Sequence, residues 1–169
     1  MAPTLYLICG LPGAGKTTLA RHLESSLGVV RFCPDEWIGA LIRDRTDRAE
    51  MDRLRDPVEQ LLWGTAQELL KREVSVVLEN GFWSREERLS YRAAAASLGA
   101  KAFLHFLDVP KSELIRRINA RNGNLPSGSF HVSVDELVVW FDAFVPPSVQ
   151  ELEAYDGYEI HRPIRFCSG

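Results

Sequence analysis

Short apolar runs alternate along the chain with longer segments in which apolar and polar residues mix. The runs are "TLYLIC" (4–9), "VVRFC" (29–33), "VSVVLEN" (74–80), "KAFLHFLDV" (101–109) and the more polar "GYEIHR" (157–162). Continuous apolar runs of this length are typical of strands that are buried on both faces of a parallel sheet. The runs at 4–9 and 74–80 therefore predict buried strands, those at 29–33 and 101–109 predict two further strands, and the last predicts an edge strand.

The segments between these strands carry the period and the end signals of helices. Leu19, Leu23 and Leu27 recur every four residues after Lys16, and Gly28 follows where a helix would stop. Proline and capping-box patterns predict further helices, which start at Pro34, at Asp56 with Pro57 (through about Lys71), at Ser84 with Glu87 (to Gly99), at Pro110 and at Ser133 with Glu136.

Strands that alternate with helices predict an α/β fold. We expect a three-layer sandwich with a mainly parallel five-stranded sheet and helices on both faces. A length of 169 residues suits one domain with a single core, so residues 1–169 are predicted to form one domain. Apolar residues make up 46% of the chain and charged residues 25%, which is an ordinary balance for a globular protein.

Charge and targeting signals narrow the function classes. The net charge is -3, whereas most nucleic-acid binders are strongly basic, so we expect no nucleic-acid partner. The apolar runs are too short to cross a membrane, and the N-terminus lacks the pattern of a signal peptide. Cys9, Cys33 and Cys167 show no metal-type spacing, and Cys9 and Cys33 are predicted to be reduced core thiols. These observations favour a cytoplasmic protein.

The stretch "GLPGAGKT" (10–17) carries the most specific chemistry. It fits G-x-x-x-x-G-K-[ST] at Gly10, Gly15, Lys16 and Thr17, with a strand before it and a helix after it. Glycines let successive N–H groups point inward, and the helix N-terminus adds its positive dipole end. Lys16 would reach the β- and γ-phosphates of ATP, and Thr17 would offer its hydroxyl to Mg²⁺. The predicted nucleotide-binding residues are Gly10, Leu11, Pro12, Gly13, Ala14, Gly15, Lys16, Thr17 and Thr18. The sandwich is therefore predicted to have the P-loop NTPase fold.

Two carboxylates follow strands at the edge of the sheet where this loop would lie. Asp35, after the second strand, would face the region beyond the γ-phosphate and accept a proton from an attacking hydroxyl. The alternative is that Asp35 only caps the helix that begins at Glu36. Glu79, at the end of the third strand, would hold Mg²⁺ directly or through water, or orient a water for hydrolysis. Its alternative is a hydrogen bond to the turn at Gly81.

The segment "IRRINARN" places Arg117 and Arg121 on one helical face. Arginine forks suit phosphate oxygens, so these side chains are candidates to close over the transferred group and neutralise its charge. A solvated basic face is the alternative interpretation.

The order of these motifs resembles small P-loop kinases of the zeta-toxin, chloramphenicol-phosphotransferase and polynucleotide 5′-kinase types. The motifs are "GLPGAGKTTLA", "PDEW" after the second strand, "GFWSREER" (81–88), Arg-x-x-x-Arg after the fourth strand and "FVPP" (144–147). The resemblance implies MgATP as donor and a hydroxyl-bearing acceptor. It also implies Asp35 as catalytic base and Arg117 and Arg121 as residues of a lid at about 111–132. Separately, part of the turn in "FVPP" is expected to border the adenine.

This sequence departs from the resembled kinases at two positions. The acid at Glu79 is commonly Asp in such proteins, which weakens the assignment of the metal to this position. The polynucleotide kinases carry an arginine three residues after the base, where this chain has Ile38. Together with the acidic net charge, this departure argues against a polynucleotide acceptor.

Three functions remain open on the sequence alone. The first is transfer of the γ-phosphate of MgATP to a hydroxyl of a small molecule, with Lys16, Asp35, Arg117 and Arg121 as catalytic residues and Thr17 and Glu79 at the metal. The second is an ATPase or nucleotide-dependent switch in which Glu79 orients water. The third is nucleotide binding without turnover. The sequence leaves the acceptor's identity and the oligomeric state open.

The sequence offers few signals for the residues that would bind the acceptor. Trp37, Phe82, Trp83 and Arg85 are expected near the mouth of the crevice, where they would contact the acceptor or pack in the rim. Arg85 and Arg88 would grip an anionic acceptor or pair with Glu86 and Glu87. Trp140, Phe141 and Phe144 have helical spacing and are predicted to be core. The four histidines show no metal or triad spacing and are predicted to be structural or surface residues.

Overall fold

One parallel sheet organises the chain in the computed structural model, which describes residues 1–44, 46–126 and 129–163. Its strands are Thr4–Cys9 (β1), Val30–Phe32 (β2), Val76–Gly81 (β3), Lys101–Leu107 (β4) and Gly157–His161 (β5). All pairings are parallel, and the spatial order is β2-β3-β1-β4-β5. The predicted five strands and the edge position of the last one are therefore confirmed.

The strand order creates a switch point between β1 and β3. The connection after β1 runs to β2 on one side of the sheet, whereas the connection after β3 runs to β4 on the other side. A crevice opens where neighbouring connections diverge in this way, outside the carboxyl ends of the strands. The loop after β1 and the acid at the end of β3 both lie at this crevice.

Helices cover both faces of the sheet in the described part of the chain. Their bounds are Lys16–Leu27 (α1), Pro34–Leu41 (α2), Arg48–Lys71 (α3), Arg85–Ser97 (α4), Lys111–Asn122 (α5), Val134–Ala143 (α6) and Val149–Leu152 (α7). The short α7 was not predicted, because four residues are too few to show a helical period. Ser84 and Ser133 cap α4 and α6 as the sequence predicts.

The alternation of side chains along β1 divides the core into two clusters. Leu5 and Leu7 face a cluster that includes Met51 of α3, whereas Ile8 faces a cluster that includes Leu114 of α5. Each side of the sheet is thus packed against helices, which is the predicted three-layer arrangement.

The start of α3 corrects one sequence prediction. The helix begins at Arg48 rather than after Asp56, because the side chain of Asp47 accepts a hydrogen bond from Glu50 N and caps it. Pro57 therefore lies inside the helix, where a proline costs about 3 kcal/mol. Met51 and Val58 are buried on either side of Pro57, and packing of this face outweighs the loss of one backbone hydrogen bond.

Two of the three cysteines lie in the core, as the sequence predicts. Cys9 and Cys33 are buried free thiols, and burial raises the pKa of each to about 12. Cys167 lies outside the described residues. Within the described ranges, none of the helices combines the length and the apolar character needed to cross a membrane.

Candidate active site

The loop between β1 and α1 has the backbone that its glycines predict. Gly13 and Gly15 have φ angles of 83° and 105°, a conformation that residues with a Cβ rarely adopt. A Cβ at Gly10 would lie 3.2 Å from the Cβ of Leu107, so this glycine also permits close packing on β4. Gly15 is the N-cap of α1, and the free N–H groups of the first turn therefore face the loop.

Lys16 points its ammonium group into this loop. Its Nζ donates a hydrogen bond of 3.1 Å to Leu11 O. Burial lowers the pKa of Lys16, whereas the charges of Asp35 and Glu79 oppose that shift. An ammonium removed from water in this way gains strongly from an anionic partner such as a phosphate.

Thr17 and Glu79 meet at the switch point. Thr17 Oγ1 donates a hydrogen bond of 2.7 Å to Glu79 Oε2, and Glu79 is 5% exposed. These hydroxyl and carboxylate oxygens are hard donors of the kind that Mg²⁺ prefers, so the pair fits the predicted metal position. The turn at Gly81 is not the partner of this carboxylate.

Arg31 on β2 supplies the counter-charge for Glu79, a role that the sequence analysis did not anticipate. Its guanidinium group hydrogen-bonds Glu79 Oε1 and Glu36 Oε2, and its Nε lies 3.5 Å from Glu24 Oε2. Burial lowers the pKa of Arg31, but the hydrogen bonds to Glu36 and Glu79 together have the larger effect, so the pKa is raised. Arg31 is therefore a permanent cation that holds Glu79 in place.

Asp35 lies in the first turn of α2, at the carboxyl end of β2. The N-cap of this helix is Cys33, so the alternative that Asp35 is only a helix cap is wrong. Asp35 Oδ1 accepts a hydrogen bond of 2.8 Å from Arg55 Nη2. The Asp35 side chain remains 47% exposed, and it lines the same cleft as Lys16.

Arg55 and Glu59 of α3 are cleft residues that the sequence analysis missed. Arg55 Nη1 donates a hydrogen bond of 3.3 Å to Glu59 Oε1, so Arg55 joins Glu59 to Asp35. Burial raises the pKa of Glu59 to about 6, against the opposing charge of Arg55. The only sequence signal was an Arg–Glu pair four residues apart, which is common on exposed helices.

Arg117 and Arg121 reach the cleft from the same face of α5. Arg117 Nη1 lies 3.2 Å from Ala14 O in the loop, and its Nε donates a hydrogen bond of 2.7 Å to Glu113 Oε1. Arg121 Nη2 donates a hydrogen bond of 3.0 Å to Phe130 O. Burial lowers the pKa of Arg121, whereas the charge of Asp35 opposes that shift. These positions fit side chains that act on a bound phosphate.

One cleft of about 680 Å³, a volume within the usual range of ligand sites, is lined by Lys16, Thr17, Asp35, Arg55, Glu59, Glu79, Arg117 and Arg121. Aromatic side chains also line it, namely Phe82, Trp83, Phe130 and Trp140. Trp140, predicted to be core, both packs on the core and borders this cleft. A second cavity of about 180 Å³ lies against Leu11 and Ala14, and Phe144 and Pro146 of the "FVPP" segment border it.

Two arginines of the "GFWSREER" segment do not contact the cleft. Arg88 is fully buried and forms a two-pronged ion pair with Glu151, with distances of 2.6 and 2.9 Å. Arg85 is exposed and lies 4.0 Å from Glu151. The predicted pairing of these arginines with Glu86 and Glu87 is therefore wrong, and Arg88 has a structural role.

The chain matches one protein-family model over most of its length. Residues 5–144 match a family described as an AAA domain. This range includes the loop and four predicted site residues, namely Asp35, Glu79, Arg117 and Arg121. No curated protein matches the chain at the level of sequence.

Several solved structures share the fold. An inferred kinase from Chloroflexus aurantiacus has a TM-score of 0.76 at 18% identity, over 96% of this chain and 89% of that one. Kti12 of Chaetomium thermophilum, solved in complex with ADP-AlF3, has a TM-score of 0.69 at 16% identity, over 94% and 88%. A gluconokinase from Sinorhizobium meliloti has a TM-score of 0.61 at 17% identity, over 94% and 83%. At these identities the likeness establishes the fold.

Proposed function

The chain belongs to this AAA domain family and is a small P-loop kinase-like protein, and from that premise we propose that it transfers the γ-phosphate of MgATP to a hydroxyl of a small molecule. One observation carries the proposal. Asp35, with a half-exposed carboxylate, lines the same cleft as Lys16 and Arg121. The cleft thus combines a proton acceptor with cations suited to a triphosphate.

The donor would be held by the loop and by cations on two sides. The N–H groups of residues 13–17 and the ammonium of Lys16 would bind the β- and γ-phosphates. Thr17 and Glu79 would hold Mg²⁺, which neutralises charge on the phosphates when it is bound. Arg31 keeps the Glu79 carboxylate oriented toward Thr17.

The acceptor hydroxyl would bind beside Asp35. Its proton passes to the Asp35 carboxylate while its oxygen forms a bond to the γ-phosphorus. The bond from that phosphorus to the β,γ-bridging oxygen breaks, and ADP leaves with the electron pair. Arg55 orients Asp35 through the 2.8 Å hydrogen bond that its Nη2 donates to Oδ1.

Arg117 and Arg121 would neutralise the charge of the transferring group. Arg117 Nη1 already lies within 3.4 Å of two loop carbonyls, so a small change of rotamer would bring it to a phosphate. Arg121 is largely removed from water, which strengthens its interaction with an anion. A fixed positive charge at this place stabilises the transition state more than the ground state.

An ATPase or nucleotide-dependent switch is the second candidate. It needs Glu79 to orient a water molecule. Both Glu79 oxygens are engaged, one by Thr17 and the other by Arg31, and the side chain is nearly inaccessible. This geometry favours a structural and metal-binding role for Glu79 and supports the kinase.

A screen of acceptors with γ-labelled ATP tests the proposal. Sugars, nucleosides, hydroxyl-bearing antibiotics and hydroxyl-bearing peptides are each incubated with the protein, ATP and Mg²⁺, and label on the acceptor is measured. We expect label on one class, and at least about 100-fold less label with the Asp35→Asn variant. Phosphate release that is equal with every acceptor and in its absence would contradict the kinase and favour the ATPase.

A further inference from the structure

A cluster of metal-ligand side chains lies on β4 and β5, among residues that the sequence predicted to be structural. His105 of β4 pairs in register with Glu159 of β5, and His161 follows Glu159 by two residues. Side chains two residues apart on a strand share a face of the sheet. The parallel pairing therefore brings two imidazoles and a carboxylate together, although the sequence separates His105 from Glu159 by more than fifty residues.

The three candidate ligand atoms form a compact triangle. His105 Nδ1 lies 3.0 Å from His161 Nε2. Glu159 Oε2 lies 3.6 Å from the first nitrogen and 3.7 Å from the second. A point about 2 Å from all three atoms exists, which is the usual length of zinc–nitrogen and zinc–oxygen bonds.

The three side chains of the triangle differ in exposure: His105 is packed among aromatic rings, whereas Glu159 and His161 reach solvent. The His105 side chain is 4% exposed, and its ring packs against Phe103 and Tyr6 with centroid distances of 4.7 and 6.0 Å. The Glu159 side chain is 59% exposed and that of His161 29%. A ligand held by this triangle would therefore have one side in contact with solvent.

The His105 ring presents Nδ1 to the cluster. Its Nε2 is buried and has no hydrogen-bond partner among the described residues. Within those residues, all polar interactions of the ring are thus made by Nδ1, toward His161 and Glu159.

We propose that His105, Glu159 and His161 bind one divalent metal ion of the zinc class. Two imidazole nitrogens and one carboxylate oxygen are a zinc ligand set that leaves a fourth position for water or a small anion. None of the three residues lines the 680 Å³ cleft, so this site is separate from the Mg²⁺ position at Thr17 and Glu79. The metal would tie the edge strand β5 to β4.

Calorimetric titration with Zn²⁺ tests the site in nucleotide-free protein that has been stripped with a chelator. We expect one Zn²⁺ per chain in the unmodified protein. Because the loss of an outer-shell partner alone weakens metal binding by about 10–100-fold, His161→Ala should raise Kd more than about 100-fold. Glu159→Gln, at an exposed position, should raise Kd at least about tenfold. Both variants are compatible with the fold, since neither changes a fully buried side chain.

Three control variants assign the binding to this cluster. His22→Ala changes a histidine of α1, and Thr17→Val changes the proposed Mg²⁺ position in the cleft. Cys167→Ser removes the one cysteine that is not among the buried thiols Cys9 and Cys33. Each is expected to bind Zn²⁺ as the unmodified chain does. Undiminished affinity in His161→Ala, or loss of binding in a control, would overturn the proposal, because the His105–His161 contact would then be a hydrogen bond with no role at a metal.

Thermal unfolding provides a second readout. Zn²⁺ binding to the folded chain alone raises the unfolding temperature by mass action. We expect this rise in the unmodified protein and in the three controls, and its absence in His161→Ala. An equal rise in His161→Ala would also contradict the assignment.

Discussion

Thr17 Oγ1 donates a 2.7 Å hydrogen bond to Glu79 Oε2, so the first turn of α1 meets the end of β3 at one point. The other Glu79 oxygen pairs with Arg31 of β2. The elements α1, β2 and β3 are thereby joined around a single buried carboxylate. The orientation of the Glu79 carboxylate is a consequence of this arrangement.

Replacement of the Glu79 carboxylate tests its role at the metal. Glu79→Gln removes the charge at nearly constant volume, and we expect the Mg²⁺ concentration for half-maximal transfer to rise about tenfold or more. The matched control is Glu24→Gln, which also faces Arg31 but is half exposed. A titration of activity with Mg²⁺ should leave this control unchanged. Identical Mg²⁺ dependence in Glu79→Gln would remove Glu79 from the metal site.

Asp35→Asn tests the catalytic base. An amide cannot accept the hydroxyl proton, so transfer should fall by about 10²–10⁴-fold while ATP affinity stays within about twofold. Asp44→Asn, an exposed acid beyond the end of α2, is the control and should keep full activity. Steady-state kinetics and nucleotide titration separate the two effects. Full transfer by Asp35→Asn would show that another group takes the proton.

The adjacent arginines of α5 form a natural pair of test and control. Arg117 contacts both the loop and Glu113, whereas Arg116 is exposed and contacts Glu113 alone among the described residues. We expect Arg117→Ala to lower kcat about 10²–10³-fold, because a preorganised donor to the phosphate is lost. Arg116→Ala should remain within about twofold of the unmodified protein. Equal losses in both variants would indicate a general effect on the helix.

The raised pKa of Glu59 predicts a pH-dependent stability. Glu59 titrates near 4.5 when unfolded and at about 6 when folded, because burial disfavours its charge. As the pH rises, the folded state therefore keeps the Glu59 proton to a higher pH than the unfolded state does. Ionisation of Glu59 then destabilises the fold: the effect is absent below pH 4.5, grows between pH 4.5 and 6 and is complete above pH 6. Glu59→Gln should remove this destabilisation. The unfolding free energy of the variant, minus that of the unmodified protein, should therefore rise by at most about 2 kcal/mol between pH 4.5 and 6.

Chemical denaturation at several pH values measures that change. Glu68→Gln on the same helix is the control, because hydrogen bonding to Lys71 lowers the pKa of the exposed Glu68. The relative stability of this variant should not rise between pH 4.5 and 6. A flat difference between Glu59→Gln and the unmodified protein would show that Glu59 titrates normally.

The buried pair of Arg88 and Glu151 predicts a large effect on stability. Arg88→Ala leaves Glu151 as an uncompensated buried charge, and we expect a loss of about 3–5 kcal/mol in the free energy of unfolding. The double variant Arg88→Met with Glu151→Leu should recover much of that loss, since no buried charge remains. Arg85→Ala, exposed and 4.0 Å from Glu151, should cost less than about 1 kcal/mol. Denaturant unfolding compares the three, and a small loss in Arg88→Ala would contradict this account.

Local signals were sufficient for the elements and for the phosphate loop. A run such as "TLYLIC" predicts a strand because burial on both faces demands apolar residues at successive positions. Gly13 and Gly15 predict the loop because their left-handed backbone angles are accessible to few other residues. The start of α3 was missed because Asp47 and Asp56 are both acceptable caps, whereas in the structure Asp47 caps the helix and Met51 of its first turn is buried.

The partners of the charged residues were decided by the tertiary structure. Arg31 and Glu79 lie 48 positions apart in the sequence, and Arg88 and Glu151 lie 63 apart. The order of the strands brings Arg31 to Glu79, and the contact between α4 and α7 brings Arg88 to Glu151. No period or spacing along the chain carries this information. The same holds for His105 and His161, which become neighbours only because β5 pairs parallel to β4. Local backbone preferences were enough to locate the five strands, the phosphate loop and all the described helices except α7, with one wrong start at α3. The long-range pairings depended on the tertiary structure, because residues far apart in the chain meet only in the folded protein.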